Sequence, residues 1–90
     1  MDFEWDEEKR RANLAKHRID FVDALAVFDG RARVDRESPR DDEQRFATTA
    51  RLEGRFVTVV WTWRGEALVR IISARRARDE EERHHRQVHG

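Results

Sequence analysis

Arg70-Ile71-Ile72-Ser73-Ala74-Arg75-Arg76-Ala77 decides how this chain folds. An apolar run that barely alternates reads as a strand buried on both faces, inside a sheet. The acidic turn Asp79-Glu80-Glu81-Glu82 follows it, where the helix dipole favours carboxylates, so Asp79 is expected to cap a last helix reaching about Val88. Working upstream, Arg64-Gly65-Glu66 makes a tight turn into Phe56-Val57-Thr58-Val59-Val60-Trp61-Thr62-Trp63, rich in β-branched and aromatic residues. Glu53-Gly54 turns again into a strand over 44–52 with Phe46 pointing inward. Residues 44–75 therefore read as a three-stranded antiparallel meander.

Further out the signals weaken. Arg31 to Glu37 reads as an exposed strand, Ser38-Pro39-Arg40-Asp41-Asp42 as a loop, and Phe3-Glu4-Trp5 as a short edge strand. Asp6 caps a helix to about His17, with Glu7 and Glu8 in its first turn and a thin apolar face of Trp5, Ala12, Leu14 and Ala15. Asp20 caps another, in which Phe21, Ala24, Leu25 and Phe28 recur at helical spacing up to Gly30. The expected fold class is α+β: two N-terminal helices, an antiparallel sheet of three or four strands, and a C-terminal helix. The Phe21/Leu25/Phe28 helix is expected to cover the sheet, and residues 1–90 to form one domain.

Composition sets limits on function. Cysteine is absent, which removes disulfides and thiolate chemistry. No run approaches the roughly 18 apolar residues of a membrane span, and an acidic N-terminus is unlike a signal peptide, so a cytoplasmic location is expected. A chain of 90 residues buries only roughly 60–65 % of its unfolded surface, which makes a dimer or a permanent partner useful. The formal net charge is zero although 42 % of residues are charged. The first 30 residues hold eight acids against five bases, and the remaining 60 hold fourteen bases against eleven acids. Seventeen of the nineteen basic residues are Arg, which forks onto phosphate better than Lys.

Several groups are candidates for chemistry. Lys9, Asn13, Lys16 and His17 share a stripe of the first helix with Asp6. In an unbulged strand Arg70 and Arg75 face opposite sides of the sheet, and Arg75, near the strand exit, is the better cleft candidate. Trp61 and Trp63 share a face and serve either as core or as a platform for bases. His85 and His89 stand one helical turn apart, but they read more simply as solvated helix-end groups than as metal ligands; no metal or other cofactor is expected. RNA cleavage by its own 2′-OH needs a base, an acid and cations around the transition state, and Arg, Lys, His and Glu on a small sheet supply such groups.

The chain resembles the BrnT toxins of type II toxin–antitoxin systems, whose fold is similar to that of RelE-type ribonucleases. The resemblance runs nearly end to end. It rests on Phe3-Glu4-Trp5-Asp6, Lys9, Asn13-Leu14 and Lys16-His17, then on Asp20-Phe21, Ala24 and Val27-Phe28-Asp29. Arg45 and the closing Arg70-Ile71-Ile72-Ser73-Ala74-Arg75-Arg76-Ala77 with Glu81 complete it. It implies an endoribonuclease that cleaves mRNA, arrests translation and is held inactive by a BrnA-type antitoxin. Homodimers or heterotetramers with the antitoxin are compatible with it, and operator DNA would be met only through the antitoxin. On this basis Arg75 and Lys16 are assigned to phosphate and transition-state charge, with His17 or Glu81 as base. Lys9, Asn13, Arg45, Arg70, Arg76 and His85 are candidate substrate contacts, and Trp61 or Trp63 a candidate stacking surface. The chain departs from the family pattern at Arg18, at Ala47-Thr48-Thr49 and at His85, where Gly, a small Gly and Tyr are usual. The alternative is a non-catalytic module that binds nucleic acid or the antitoxin.

Overall fold

The structure, a computed structural model, describes residues 1–90. Strands β1 (Asp2–Glu4), β2 (Arg33–Glu37), β3 (Phe46–Leu52), β4 (Arg55–Arg64) and β5 (Leu68–Arg76) form one sheet in the order β1-β5-β4-β3-β2. Helix α1 (Glu7–His17) is N-terminal, α2 (Phe21–Ala24) runs directly into a 3₁₀ turn at Leu25–Phe28, and α3 (Asp79–His89) is C-terminal. The meander β3-β4-β5 and the antiparallel β2 follow the sequence pattern, but the expected fold class is overturned. The sheet has five strands and is mixed, because β1 lies parallel to β5, with Asp2 opposite Leu68 and Glu4 opposite Arg70. The helices are one N-terminal, one middle and one C-terminal rather than a pair at the N-terminus and one at the end. The edge strand expected at Phe3-Glu4-Trp5 is found one residue earlier, but a parallel pair has no tight turn to mark its partner.

The middle helix also packs differently from its 3.6-residue reading. Phe21, Ala24 and Val27 are the fully buried row, while Leu25 and Phe28 are half-buried. A spacing of three matches the tighter 3₁₀ turn, in which side chains at i and i+3 eclipse. This row and Ile19 meet Ala50, Leu52, Val57, Val59, Trp61, Val69, Ile71 and Ala74 on one face of the sheet. Trp61 closes that core, with Phe46 stacked on it at 4.8 Å and Phe28 edge-on at 5.5 Å. Its indole N–H donates to Thr48 Oγ1 at 2.8 Å.

Helix α1 inverts expectation. Ala12, Leu14 and Ala15 are exposed, and its one buried residue is Asn13. The cause is the shortness of β1, which ends at Glu4 and leaves the β5 edge beyond Arg70 bare. Asn13 fills that edge as a neighbouring peptide would. Its Oδ1 accepts from the Ala74 N–H (3.1 Å), and its Nδ2 donates to Ala74 O (2.8 Å) and Ile19 O (3.0 Å). Arg18 then caps α1 in the left-handed region, φ 61° and ψ 28°, a conformation that costs a non-glycine residue roughly 1–2 kcal/mol. Glycine adopts this conformation freely, and Arg18 holds the turn in its place.

Helix α3 lies across the opposite face of the sheet. The buried His85 packs edge-on to Phe56 at 4.9 Å, and its Nε2–H donates to Ala32 O at 3.1 Å. His89 similarly reaches Arg33 O at 2.8 Å. These histidines dock the helix on β2 and β3; the expectation of solvated helix-end groups fails for His85. No helix is long and apolar enough to cross a membrane.

Replacing Asn13 with Ala removes three hydrogen bonds and leaves the Ala74 peptide unpaired. The expected loss is about 2–4 kcal/mol, read as a fall in Tm of roughly 10–20 °C by circular dichroism. A variant that melts within a few degrees of the parent would refute the clamp.

Candidate nucleic-acid groove

The geometry of β5 decides where its arginines point. Opposite β4, Val60 pairs with Ser73 but Trp61 pairs with Ile71, so Ile72 is an extra residue, a bulge. Strict alternation would send Arg70 and Arg75 to opposite faces. The bulge resets the parity, and both arginines stand opposite threonines of one β4 face, Arg70 at Thr62 and Arg75 at Thr58. That face lies away from the Trp61 core.

Glu81, in the first turn of α3, receives the charge there. Its side chain is 3 % exposed. Arg75 forks onto it, Nη1 to Oε1 at 2.7 Å and Nη2 to Oε2 at 3.1 Å, while Arg36 Nη2 reaches Oε2 at 2.5 Å. The Arg78 N–H and the Thr58 hydroxyl donate to Oε1 at 2.8 and 3.2 Å, and Thr58 is linked to Thr49 at 2.8 Å. Burial alone pushes the Glu81 carboxyl up. The bonds from Arg75, the Arg78 N–H and Arg36 outweigh burial and hold it at about 2. A carboxylate so engaged is an orienting anion rather than a ready base.

Beside this cluster runs a groove of about 390 Å³, lined by arginines 36, 40, 45, 75 and 78, with Ser38, Ser73, Pro39, Val60 and Ile72. The loop between β2 and β3 forms one wall. It is folded on itself through paired backbone bonds of Arg40 with Glu43 and anchored by Thr62 Oγ1 to Gln44 O at 2.7 Å. Arg45 Nε holds Glu43 at 2.6 Å, which, with weaker pull from Arg64 and Lys9, lowers the Glu43 carboxyl.

The residues singled out from sequence are thus divided. Arg45, Arg75 and Glu81 come together at the groove, and Lys9 stands within electrostatic reach of Glu43. Lys16 is exposed and His17 half-buried on α1, and neither lines the groove. Asn13 and His85 spend their polar atoms on backbone groups. Arg70 pairs with Glu4, and Arg76 is exposed opposite Val57, on the other face. Trp61 is core; Trp63 is 43 % exposed but shares the Trp61 face, away from the arginines. Sequence reasoning passed over Arg36, Arg40 and Arg78. Arg36 lay in an exposed strand with no apolar pattern, and only the pairing of β2 with β3 carries it to Glu81. No three of the His, Asp and Glu side chains gather as a metal-ligating group.

Residues 5–81 match the family model described as ribonuclease toxin, BrnT, of type II toxin-antitoxin system. The chain belongs to the BrnT family. Membership makes ribonuclease toxicity the family-level activity and implies an antitoxin partner. The chain is also similar to the crystal structure of the Brucella abortus ribonuclease toxin BrnT, at 28 % identity and a TM-score of 0.67 over 88 % of this chain and 99 % of that one. A comparison with curated proteins gives no match.

The Glu81 cluster makes stability depend on acid. With a folded value of about 2 against an ordinary 4.5, its contribution is complete above about pH 4.5 and is lost as pH falls towards 2. Urea unfolding of the parent and of Glu81→Gln is expected to differ by on the order of 3 kcal/mol at pH 7, with the gap closing below pH 4. A gap that stays constant with pH would contradict the ionised cluster.

Proposed function

We propose that this BrnT-family chain is a metal-independent endoribonuclease that cleaves mRNA and thereby inhibits translation, held in check in the cytoplasm by a BrnA-type antitoxin. The observation that carries the proposal is the groove of five arginines, two of which are held by one buried carboxylate. Arginine stays protonated and presents a planar fork to phosphate, so the groove suits the anionic backbone of a single strand. Glu81 fixes the Arg75 and Arg36 guanidinium planes before substrate arrives, which removes the reorganisation cost of stabilising a dianionic phosphorane. Arg75 and Arg36 take the scissile phosphate in this reading, and Arg40, Arg45 and Arg78 take its neighbours. No aromatic ring lines the groove, so the arginine planes rather than Trp61 or Trp63 are the stacking surfaces available to bases.

A binding module without catalysis draws on the same arginines, and the lack of a group inside the groove that exchanges protons near neutrality favours it. The two readings part on RNA integrity. With EDTA present, the purified chain is expected to cut single-stranded RNA into fragments ending in 2′,3′-cyclic phosphate and 5′-hydroxyl. Arg75→Ala should lower the rate by roughly 10²–10³-fold. Arg40→Ala, which leaves the Glu81 cluster whole, serves as a second variant and should weaken RNA binding without unfolding the chain. RNA that is bound yet left uncut would support the module.

Binding itself has a salt signature. Against the five groove arginines stand the carboxylates of Glu81 and Glu43, leaving three positive charges uncompensated. For a single strand, log K against log salt should therefore fall with a slope of about −2. A slope near zero, measured by fluorescence anisotropy, would refute phosphate binding in the groove.

A further inference from the structure

The groove has a neighbour. A second hollow of about 290 Å³ is lined by Arg36, Glu80, Glu81 and His84, so Arg36 lines both spaces. His84 is exposed and lies one helical turn beyond Glu81, on the same side of α3. The chain's other imidazoles are placed elsewhere. His85 and His89 donate to the carbonyls of Ala32 and Arg33, and His17, at the end of α1, lines neither hollow. Within the groove, the arginines do not release protons in the working pH range, and the serines do so no more readily. His84 is therefore the one imidazole beside the phosphate-binding arginines, and an imidazole can both accept and return a proton.

We propose that His84 is the acid–base residue of this groove. The inference rests on the ribonuclease reading above. A phosphate held on the free face of Arg36 is approached from the groove on one side and from His84 on the other. The imidazole takes the proton of the 2′-hydroxyl as O2′ bonds to phosphorus. The resulting imidazolium gives that proton to O5′ as the P–O5′ bond breaks. The products are a 2′,3′-cyclic phosphate and a 5′-hydroxyl, and no other reactant is consumed. The charged groups around the ring are Glu80 and Glu81 from α3 and Arg36 from β2.

The test is single-turnover cleavage of a short single-stranded RNA by the full chain between pH 5 and 9, with parent, His84→Gln and His84→Ala compared. Binding is read in parallel with the same oligonucleotide carrying a 2′-deoxy sugar at the cleavage step. His84→Gln is expected to bind equally but cut roughly 10²–10⁴-fold more slowly, and to lose the inflection expected in the parent's pH profile. Added imidazole should restore part of the rate to His84→Ala. A His84→Gln variant that cuts within about threefold of the parent, with the same pH profile, overturns the assignment. So does a parent rate that rises log-linearly with pH throughout. A parent that binds RNA without cutting it overturns the ribonuclease reading and this inference together, whereas equal cutting by parent and variant overturns the inference alone.

Discussion

The Glu81 carboxylate receives hydrogen bonds from Arg36 of β2, Thr58 of β4, Arg75 of β5 and the backbone of Arg78 at the start of α3. Strands β2 and β4, distant in sequence, are thereby fixed with the junction of β5 and α3 around one anion. Taking a carboxylate and two guanidinium groups out of water costs as much as their attraction returns, so such a cluster adds little net stability while all its members are present. Losing one member is costly because an uncompensated charge stays behind. What the arrangement provides is orientation. The N-terminus of α3 is held over one half of the sheet face, and the other half stays open as the groove.

The bulge at Ile72 is the second constraint, and it acts through parity alone. One unpaired residue turns Arg75 to the face of Thr58 while Ile71 and Ala74 both remain in the core. Without it, a strand that keeps Ile71 inward would turn Arg75 to the face of Val57, away from Glu81. Asn13 completes this end of β5 from the side. It satisfies the Ala74 peptide where no strand lies alongside and ties α1 to the sheet edge. The apolar contact of α1 is correspondingly slight, and a polar side chain does what a hydrophobic stripe does in most helices.

Charge is segregated in the same way as packing. The chain is neutral overall, yet arginines converge on one face through β2, the following loop, β5 and the turn into α3. Acidic residues gather at the starts of α1 and α2, where Asp6 and Asp20 cap and Glu7 pairs with Arg10. Arg10 also bonds Asp20 at 2.9 Å and so links the two caps. A neutral molecule built like this presents a local positive field to an anionic strand without paying for it in global self-repulsion.

Local order was legible because local rules produce it. Asp6 and Asp20 do cap helices through their side chains, and turns at Gly54 and Gly65 join β3, β4 and β5 as their alternation and turn residues imply. The motifs running from Trp5 to Glu81 are enough to indicate the family, and they include Arg45, Arg75 and Glu81. Tertiary structure decided what depends on contacts across the chain. The parallel β1, the edge role of Asn13, the recruitment of Arg36 and the burial of His85 each need a partner 45 or more residues away and leave no local pattern. The side of the sheet on which Arg75 stands depends on a single extra residue in β5. Periodicity in a sequence reports which residues share a face only while the strand is regular, and a bulge is set by how neighbouring strands fit together.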